Sequence, residues 1–154
     1  MATAIECMDD IMQMIPYKKP FKFIDAITYV DESRIEGVYL FDPNNAFYRG
    51  HFPEFPMTPG VILIEVMAQI GLVAFGIYLL NNGQQPYDIG KKLLILAAAD
   101  VNFRKRVLPG EITYVVSEKV AFKHKMLVCK VKLLNSSKAL VAQGTISGFI
   151  ADRD

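Results

Sequence analysis

A single run of apolar residues limits the folds open to this chain. In residues 61–80 only Glu65 and Gln69 are strongly polar, and the run is long enough to cross a bilayer as a helix. A glutamate inside a membrane span is costly, however, and no basic clusters closely flank the run. The remaining sequence has the pattern of an amphipathic sheet that needs a helix to cover it. We therefore expect a buried central helix and no membrane association.

Composition indicates one domain with more apolar residues than a small monomer needs. The chain has 154 residues, of which 52% are hydrophobic, so we expect a single domain over residues 1–154 and a buried subunit interface. The net charge of +1 gives no overall signature of nucleic-acid binding. Cys7 and Cys129 form no C-x-x-C motif, which favours reduced thiols in a cytoplasmic protein. Acidic residues precede the first basic residue, Lys18, so no secretory signal is expected.

The periodicity outside the apolar run predicts an α+β architecture. Residues 8–15 are expected to form a short opening helix, and residues 34–41 a strand whose odd positions are apolar. Residues 93–103 are apolar enough for a strand buried on both faces, although their alanine run leaves a helix open as an alternative. The central helix is expected to begin with Thr58 as N-cap and Pro59 at its first position. It is expected to end near residues 81–83, where Gly83 suits a left-handed cap.

After a turn at Pro109-Gly110, the pattern predicts an antiparallel meander of three strands. The apolar face of the first strand is expected to hold Ile112, Tyr114, Val116, Val120 and Phe122, opposite Thr113, Ser117, Lys119 and Lys123. The second strand is expected to bury Leu127, Cys129, Val131 and Leu133, and the third Leu140, Ala142, Ile146 and Ile150. Asn135-Ser136-Ser137 supplies the hairpin turn between them.

A stiff loop precedes the central helix. Pro53, Pro56 and Pro59 recur at every third position after His51, and each restricts both its own φ and the residue before it. Such a loop would hold His51 at a set distance from the start of the helix. A rigid crossover loop with an ordinary polar histidine would also explain this pattern.

The first turns of the helix add groups suited to acid–base chemistry. Gly60 lies where backbone N–H groups have no intrahelical partner, and its lack of a side chain would let a carbonyl approach closely. Glu65 and Gln69 are four residues apart and share one helix face, so the amide can orient the carboxyl. A carboxyl in apolar surroundings favours its protonated form, and a neutral His51 could accept a proton. A Glu–Gln pair that serves only helix packing is an equal alternative from the residues alone.

Other candidate sites are weaker. Arg104, Lys105 and Arg106 form a dense basic cluster, which is either a solvated face or a docking site for an acidic partner. His124 lies between two lysines at the tip of an expected hairpin and favours a solvated role. Two histidines and two widely spread cysteines do not make a zinc site, and no phosphate- or dinucleotide-binding motif occurs.

The motifs around these residues resemble a known family. G-H-F-P-x-x-P-x-x-P-G-V at residues 50–61, followed by E-x-x-A-Q at residues 65–69, is similar to the 3-hydroxyacyl-[acyl-carrier-protein] dehydratase family of FabZ type. The P-F-x-x-x-D segment at residues 20–25 resembles an early family motif, and residues 103–111 resemble the late F-K-R-P-V-x-P-G-D segment. The resemblance extends over nearly the whole chain.

The resemblance implies a hotdog fold, a homodimer whose two sheets join, and commonly a trimer of such dimers. It implies that His51 and Glu65 are the catalytic pair, contributed by different subunits. Gly60 would offer its backbone N–H to the thioester carbonyl, and Gln69 would support the acid. The partner would be an acidic acyl carrier protein with a phosphopantetheine-linked 3-hydroxyacyl chain, docked on Arg104, Lys105 and Arg106 near the tunnel mouth. No metal or organic cofactor is implied.

Two departures from the family pattern bear on the substrate. Tyr17 and Lys18 stand where the family usually has histidine and arginine, and Arg106 stands where proline is usual. These changes leave open whether the chain serves fatty-acid synthesis or a specialised polyene or pigment pathway. An acyl-thioester hydrolase on the same fold and a non-catalytic carrier-binding subunit of a heteromer are the alternatives. The presence of both His51 and Glu65 argues against the non-catalytic subunit.

Overall fold

A long apolar helix and an antiparallel sheet make up most of the fold. The structure, a computed structural model, describes residues 4–82 and 91–153. Over these ranges the chain forms, in order, α1 (Ala4–Met14), β1 (Ala26–Val30), β2 (Arg34–Leu40), α2 (Gly60–Asn81), β3 (Lys92–Phe103), β4 (Ile112–Lys123), β5 (Met126–Leu134) and β6 (Leu140–Asp152). A short 3₁₀ turn, Ala46–Arg49, lies between β2 and α2. Helix α1 begins four residues before the predicted opening helix, since helix ends are the least certain feature of a sequence pattern.

The six strands form one antiparallel sheet that packs on α2. Their order is β1-β2-β4-β5-β6-β3, and the middle of α2 contacts every strand from β2 to β6. This arrangement confirms the predicted α+β class. Residues 93–103 are a strand, as predicted, but burial on both faces is wrong for this chain. Strand β3 lies at the edge of the sheet, and most of its residues are exposed.

Helix α2 is the buried central helix that the apolar run predicts. It is long and apolar enough to cross a membrane, but 72% of its most apolar window is buried inside the fold. Its middle turn, Gln69–Ala74, is π-helical and is flanked by α-helix on both sides. The helix ends at Asn81, near the predicted stop, while Gly83 lies outside the described residues.

The predicted N-cap of α2 is wrong by one residue. Pro59 occupies the N-cap position and makes no side-chain cap. The Thr58 hydroxyl is instead hydrogen-bonded to the phenol of Tyr48 at 2.6 Å, and both side chains are buried. A buried hydroxyl needs a hydrogen-bond partner. The Thr58 hydroxyl finds it in the Tyr48 phenol and not in the N–H groups of the first turn of α2.

The predicted apolar face of β4 is also wrong. Thr113, Val115 and Ser117 are fully buried, whereas Ile112, Tyr114 and Val116 lie on the partly exposed opposite face. The two inward hydroxyls are satisfied, since Thr113 donates to the Tyr39 carbonyl and Ser117 to the Gly71 carbonyl, each at 2.8 Å. The small side chain of Ser117 fits here because α2 passes very close to the sheet at Gly71.

The remaining predicted elements agree with the structure. The four inward residues predicted for β5 are buried, as are Ala142, Ile146 and Ile150 of β6. Asn135 caps the hairpin between these strands by accepting hydrogen bonds from the N–H groups of Ser137 and Ala139. Cys129 is a free buried thiol whose pKa is raised by burial to about 11. The side chain of Cys7 lies outside the described part of the chain.

Candidate active site

The loop that carries His51 is closed on itself by hydrogen bonds. The N–H of Met57 donates to the His51 carbonyl at 2.9 Å, and the Phe52 and Phe55 N–H groups each donate to the carbonyl of the other at 3.1 Å. The prolines of this loop have no N–H to satisfy, and the Thr58 N–H at its end donates to the Val107 carbonyl at 2.9 Å. The His51 ring also stacks on the Phe52 ring, with centroids 4.0 Å apart. The loop therefore holds His51 in one orientation, as the proline spacing predicts.

The contact of His51 with Met57 sets its tautomer. Nδ1 of His51 lies 2.9 Å from the Met57 carbonyl oxygen. A carbonyl oxygen can only accept, so Nδ1 must carry the proton of this hydrogen bond. The neutral imidazole then has its free lone pair on Nε2. That nitrogen is the atom of this side chain that can take up a proton.

The side chain of Gln69 is fixed on three sides. Its Oε1 accepts from the Phe23 N–H at 2.8 Å, and its Nε2 donates to the Phe21 carbonyl at 3.0 Å. Nε2 also donates to Oε1 of Glu65 at 3.0 Å, which confirms that the two side chains pair along the helix face. Because the backbone contacts decide which end of the amide faces Glu65, Oε1 of Glu65 must be an acceptor. The other carboxyl oxygen, Oε2, does not take part in this hydrogen bond and is the better placed of the two to exchange a proton.

Glu65 opens into a pocket of ≈ 320 Å³ between α2, β3 and the segment after α1. Most of the lining is aliphatic, and the polar side chains at its wall are Glu65 and Tyr17. Burial, and then the negative charge of Glu65, raise the pKa of Tyr17 to about 12, so its phenol stays protonated at neutral pH. In the sequence, Tyr17 stands out only as a departure from the family pattern, and no motif places it at the site. Residues 17–23 are distant in sequence from α2 and contact it only in the folded chain, so the sequence alone does not show that Tyr17 lies beside Glu65.

Gly60 lies in the first turn of α2, as expected, and occupies the first helical position that the sequence predicts for Pro59. The ring of Phe103, at the end of β3, lies 3.3 Å from the position that a Cβ on Gly60 would take. The carbonyl of Pro59 accepts the N–H groups of Ile62 and Leu63, which begins the helix immediately after the proline loop. The N–H of Gly60 thus belongs to the first turn, where intrahelical partners are lacking.

One chain does not bring all the candidate residues into one pocket. Glu65 and Gln69 are in contact, and Gly60 lies at the start of the same helix, five residues before Glu65. Among the described residues that line the Glu65 pocket, none comes from the proline loop, so His51 is separate from it.

The basic cluster lies next to the proline loop. Arg104, Lys105 and Arg106 are all exposed, and the N–H groups of the first two donate to the Val141 carbonyl at 2.7 and 3.3 Å. The guanidinium of Arg106 lies over the Phe55 ring, 5.2 Å from its centroid. The arginine that departs from the family pattern therefore supports the loop of His51 through a cation–π contact.

Comparison with known proteins now identifies the family. The sequence matches the FabA-like domain over residues 15–143. The chain belongs to this family. It is 34% identical to the 3-hydroxyacyl-[acyl-carrier-protein] dehydratase FabZ of Caldicellulosiruptor bescii over 75% of this chain and 79% of that protein. It is 30% identical to the FabZ of Solibacter usitatus, over 98% of this chain and 89% of that protein.

The fold is shared with a solved dehydratase. The dehydratase heterocomplex ApeI:P of Xenorhabdus doucetiae includes a chain that superposes with a TM-score of 0.73, over 93% of this chain and 91% of that one. The sequences are only 11% identical, so this likeness concerns the fold. It confirms the predicted hotdog fold.

Proposed function

We propose that this FabA-like protein is a 3-hydroxyacyl-[acyl-carrier-protein] dehydratase, a hydro-lyase. It removes water from a 3-hydroxyacyl thioester and gives the trans-2-enoyl thioester in fatty-acid or polyene-type biosynthesis. The observation that carries the proposal is the Glu65 carboxyl, which Gln69 orients at the mouth of an aliphatic pocket. The FabZ enzymes with which the chain shares 30–34% identity are named for the same reaction.

In the proposed mechanism the free atoms of the site exchange two protons with the substrate. The N–H of Gly60 donates to the thioester carbonyl oxygen, which makes the C2 proton more acidic and stabilises the enolate-like charge. Nε2 of His51 removes the C2 proton. Oε2 of Glu65 gives its proton to the 3-hydroxyl as the C3–O bond breaks, so that water leaves and the C2–C3 double bond forms. The imidazolium and the carboxylate then return to their starting states by proton exchange with solvent.

The proposed site is completed by a second copy of the chain. Glu65 opens toward β3, the exposed edge of the sheet, while His51 lies outside its pocket. If two chains pair along β3, the proline loop of one can cover the Glu65 pocket of the other. This arrangement would give each homodimer two sites, and it would bury the excess of apolar surface.

Two single substitutions test the reaction and the roles together. We expect His51→Ala and Glu65→Gln each to lower dehydration by about two to four orders of magnitude without unfolding the protein. The measurement is enoyl absorbance from 3-hydroxyacyl carrier substrates. His124→Asn, in an exposed turn, and Glu54→Gln, in the proline loop, are matched controls that should retain activity. Mixing the two inactive variants under subunit exchange should restore part of the activity, because one site of each mixed dimer regains both groups.

The same assay separates the alternatives. Near-normal turnover in a folded His51→Ala or Glu65→Gln protein would contradict the role assignment. Release of free thiol without enoyl absorbance would favour a hydrolase. A parent protein that binds acyl carrier but shows neither product would favour the non-catalytic subunit.

The proposal also includes the partner and the compartment. The substrate carrier is an acidic acyl carrier protein, and the exposed cluster of Arg104, Lys105 and Arg106 is the proposed docking surface. Two observations support a cytoplasmic enzyme: Cys129 is a buried free thiol, and the apolar helix α2 is mostly buried inside the fold.

A further inference from the structure

The Glu65 pocket continues along α2 as a narrower groove. A second pocket lies further along the same helix face, and it shares Pro16, Val73, Leu93 and Leu94 with the first. From Glu65 the helix contributes Ala68, Val73, Gly76, Ile77 and Leu80, at the spacing of one helix face. The free volume falls from ≈ 320 Å³ around Glu65 to ≈ 20 Å³ in the second pocket, which is hardly more than one water needs.

Leu94 stands at the narrowing. Its Cδ1 lies 2.9 Å from the position that a Cβ on Gly76 would take, and its Cδ2 lies 3.2 Å from that position on Gly148. At Gly76 on α2, Leu94 is the nearest side chain and fills the space that a Cβ would take, whereas at Gly148 on β6 the Leu72 side chain lies closer still, with Cδ2 at 2.6 Å. Leu94 also lines both pockets, so it lies where the open compartment at Glu65 meets the nearly filled one.

The chemistry of the open compartment fits a hydrocarbon chain. In a 3-hydroxyacyl thioester the atoms beyond C3 are apolar, and they extend away from the group that Glu65 protonates. The compartment wall beyond Glu65 and Tyr17 is aliphatic, and it extends along α2 to Val73, about 12 Å at the usual rise per residue. Nothing polar in this described wall would anchor a charged or hydroxylated end.

We propose that this groove binds the acyl chain and that Leu94, seated between Gly76 and Gly148, closes it and restricts the enzyme to short- and medium-chain substrates. The inference rests on the proposed dehydratase function. It assigns chain-length selection to one side chain that does not take part in proton transfer. Replacing Leu94 by alanine would widen the passage into the second compartment. Its wall includes Lys92 and Arg153 but is otherwise apolar, so longer chains would then gain apolar contact.

The test compares Leu94→Ala with the parent protein on a series of 3-hydroxyacyl substrates from butyryl to hexadecanoyl. Each methylene that enters apolar surroundings strengthens binding by roughly fourfold. We therefore expect the ratio of kcat/KM for hexadecanoyl to that for hexanoyl to rise by about tenfold or more. Leu79→Ala truncates a half-buried leucine of α2 that lines neither pocket, and it should leave the ratio unchanged. Gly76→Ala should push Leu94 toward the groove and lower the ratio.

Calorimetric titration with saturated acyl-pantetheine thioesters of graded length separates this inference from the proposed reaction. We expect affinity in the parent protein to stop rising beyond medium length, and in Leu94→Ala to continue rising. A parent protein that dehydrates no substrate would contradict the proposed function, while the titration would still decide the role of the groove. An unchanged length dependence in folded Leu94→Ala, or a parent protein that prefers hexadecanoyl chains, would overturn the inference.

Discussion

Each of the two proposed proton-transfer side chains has one atom bound to the protein and one atom free. Nδ1 of His51 is bound to Met57, which leaves Nε2, and Oε1 of Glu65 is bound to Gln69, which leaves Oε2. The first constraint comes from a loop of seven residues, and the second from the backbone of residues 21–23 acting through Gln69. The two proposed catalytic groups thus owe their orientation to backbone donors and acceptors, which do not change their protonation at neutral pH.

At the same scale, the buried phenol of Tyr48 should make stability depend on pH. Burial raises its pKa from 10.0 to about 12, although the hydrogen bond with Thr58 acts in the opposite direction. When the pKa of a group is higher in the folded protein than in the unfolded chain, the protonated group stabilises the fold. This stabilisation is complete at pH values below the unfolded-state pKa, and it is lost as the pH rises to the folded-state pKa. We expect the free energy of unfolding to fall between pH 10 and 12, with about 1–2 kcal/mol of the loss due to Tyr48.

Urea titrations at a series of pH values check this expectation. Tyr48→Phe should be about 1 kcal/mol less stable at neutral pH, because Thr58 loses its partner, and should show a smaller alkaline loss. Thr58→Val removes the same hydrogen bond but keeps the titrating phenol, so it should retain the alkaline loss. Equal pH profiles for the two variants would show that Tyr48 is not the source.

At the scale of elements, the sequence predicts which segments form strands better than which faces they bury. Strand β5 follows its apolar alternation, since its inner positions Leu127, Cys129, Val131 and Leu133 are buried in the hydrophobic core. Strand β4 inverts the expectation because the buried hydroxyls of Thr113 and Ser117 both find backbone carbonyls, on β2 and α2 respectively, and α2 passes close to the strand at Ser117. Strand β3 has the composition of a buried strand, but in one chain it is an edge. For β4 and β3 alike, the burial of each face depends on contacts with segments remote in sequence, which a local pattern does not reveal.

The close approach of α2 to the sheet can be tested at Gly71. A Cβ there would lie 3.0 Å from Cβ of Ser117 and 3.1 Å from Cγ1 of Val131, both fully or almost fully buried. Gly71→Ala would force the π-helical segment away from β4 and weaken the hydrogen bond of Ser117 to the Gly71 carbonyl. We expect a loss of about 1–3 kcal/mol in the free energy of unfolding, measured by chemical denaturation. Gly50→Ala, where no atom lies within 4 Å of the added Cβ, should change stability by less than about 0.5 kcal/mol.

At the scale of the whole molecule, a net charge of +1 gives no general attraction for an acidic carrier, so docking depends on a local patch. Arg104→Glu combined with Lys105→Glu tests the patch without disturbing Arg106, which packs on Phe55. We expect kcat/KM for carrier-linked substrate to fall by about tenfold, mainly through slower association. The effect should shrink at high salt, since the Debye length falls from about 10 Å at 0.1 M to about 3 Å at 1 M. A pantetheine thioester, which lacks the acidic protein, should react normally, and an equal loss on both substrates would reject the docking role.

In a single chain, strand β3 is an exposed edge of the sheet. Its exposed side chains include Ile95, Leu96 and Phe103, each more than 40% exposed. Within residues 4–82 and 91–153, no strand pairs with its second edge. Natural edge strands are usually protected by charge, irregularity or cover, and the middle of this one is a run of three alanines. Pairing with the same strand of a second chain would remove the edge and bring the proline loop of one copy to Glu65 of the other.

A charge on that edge should therefore abolish both assembly and activity. In Ala99→Lys each of the two paired edges would carry an ammonium group, and burying two unpaired like charges in one interface is unfavourable. We expect the variant to sediment as a monomer at micromolar concentration, with dehydration reduced by at least about a hundredfold, because Glu65 then lacks a neighbouring His51. Val120→Lys places the same charge on an equally exposed apolar position of β4, 54% exposed and far from β3 in the strand order, so it should leave sedimentation and activity unchanged. A monomeric Ala99→Lys protein with full activity would show that one chain carries a complete site.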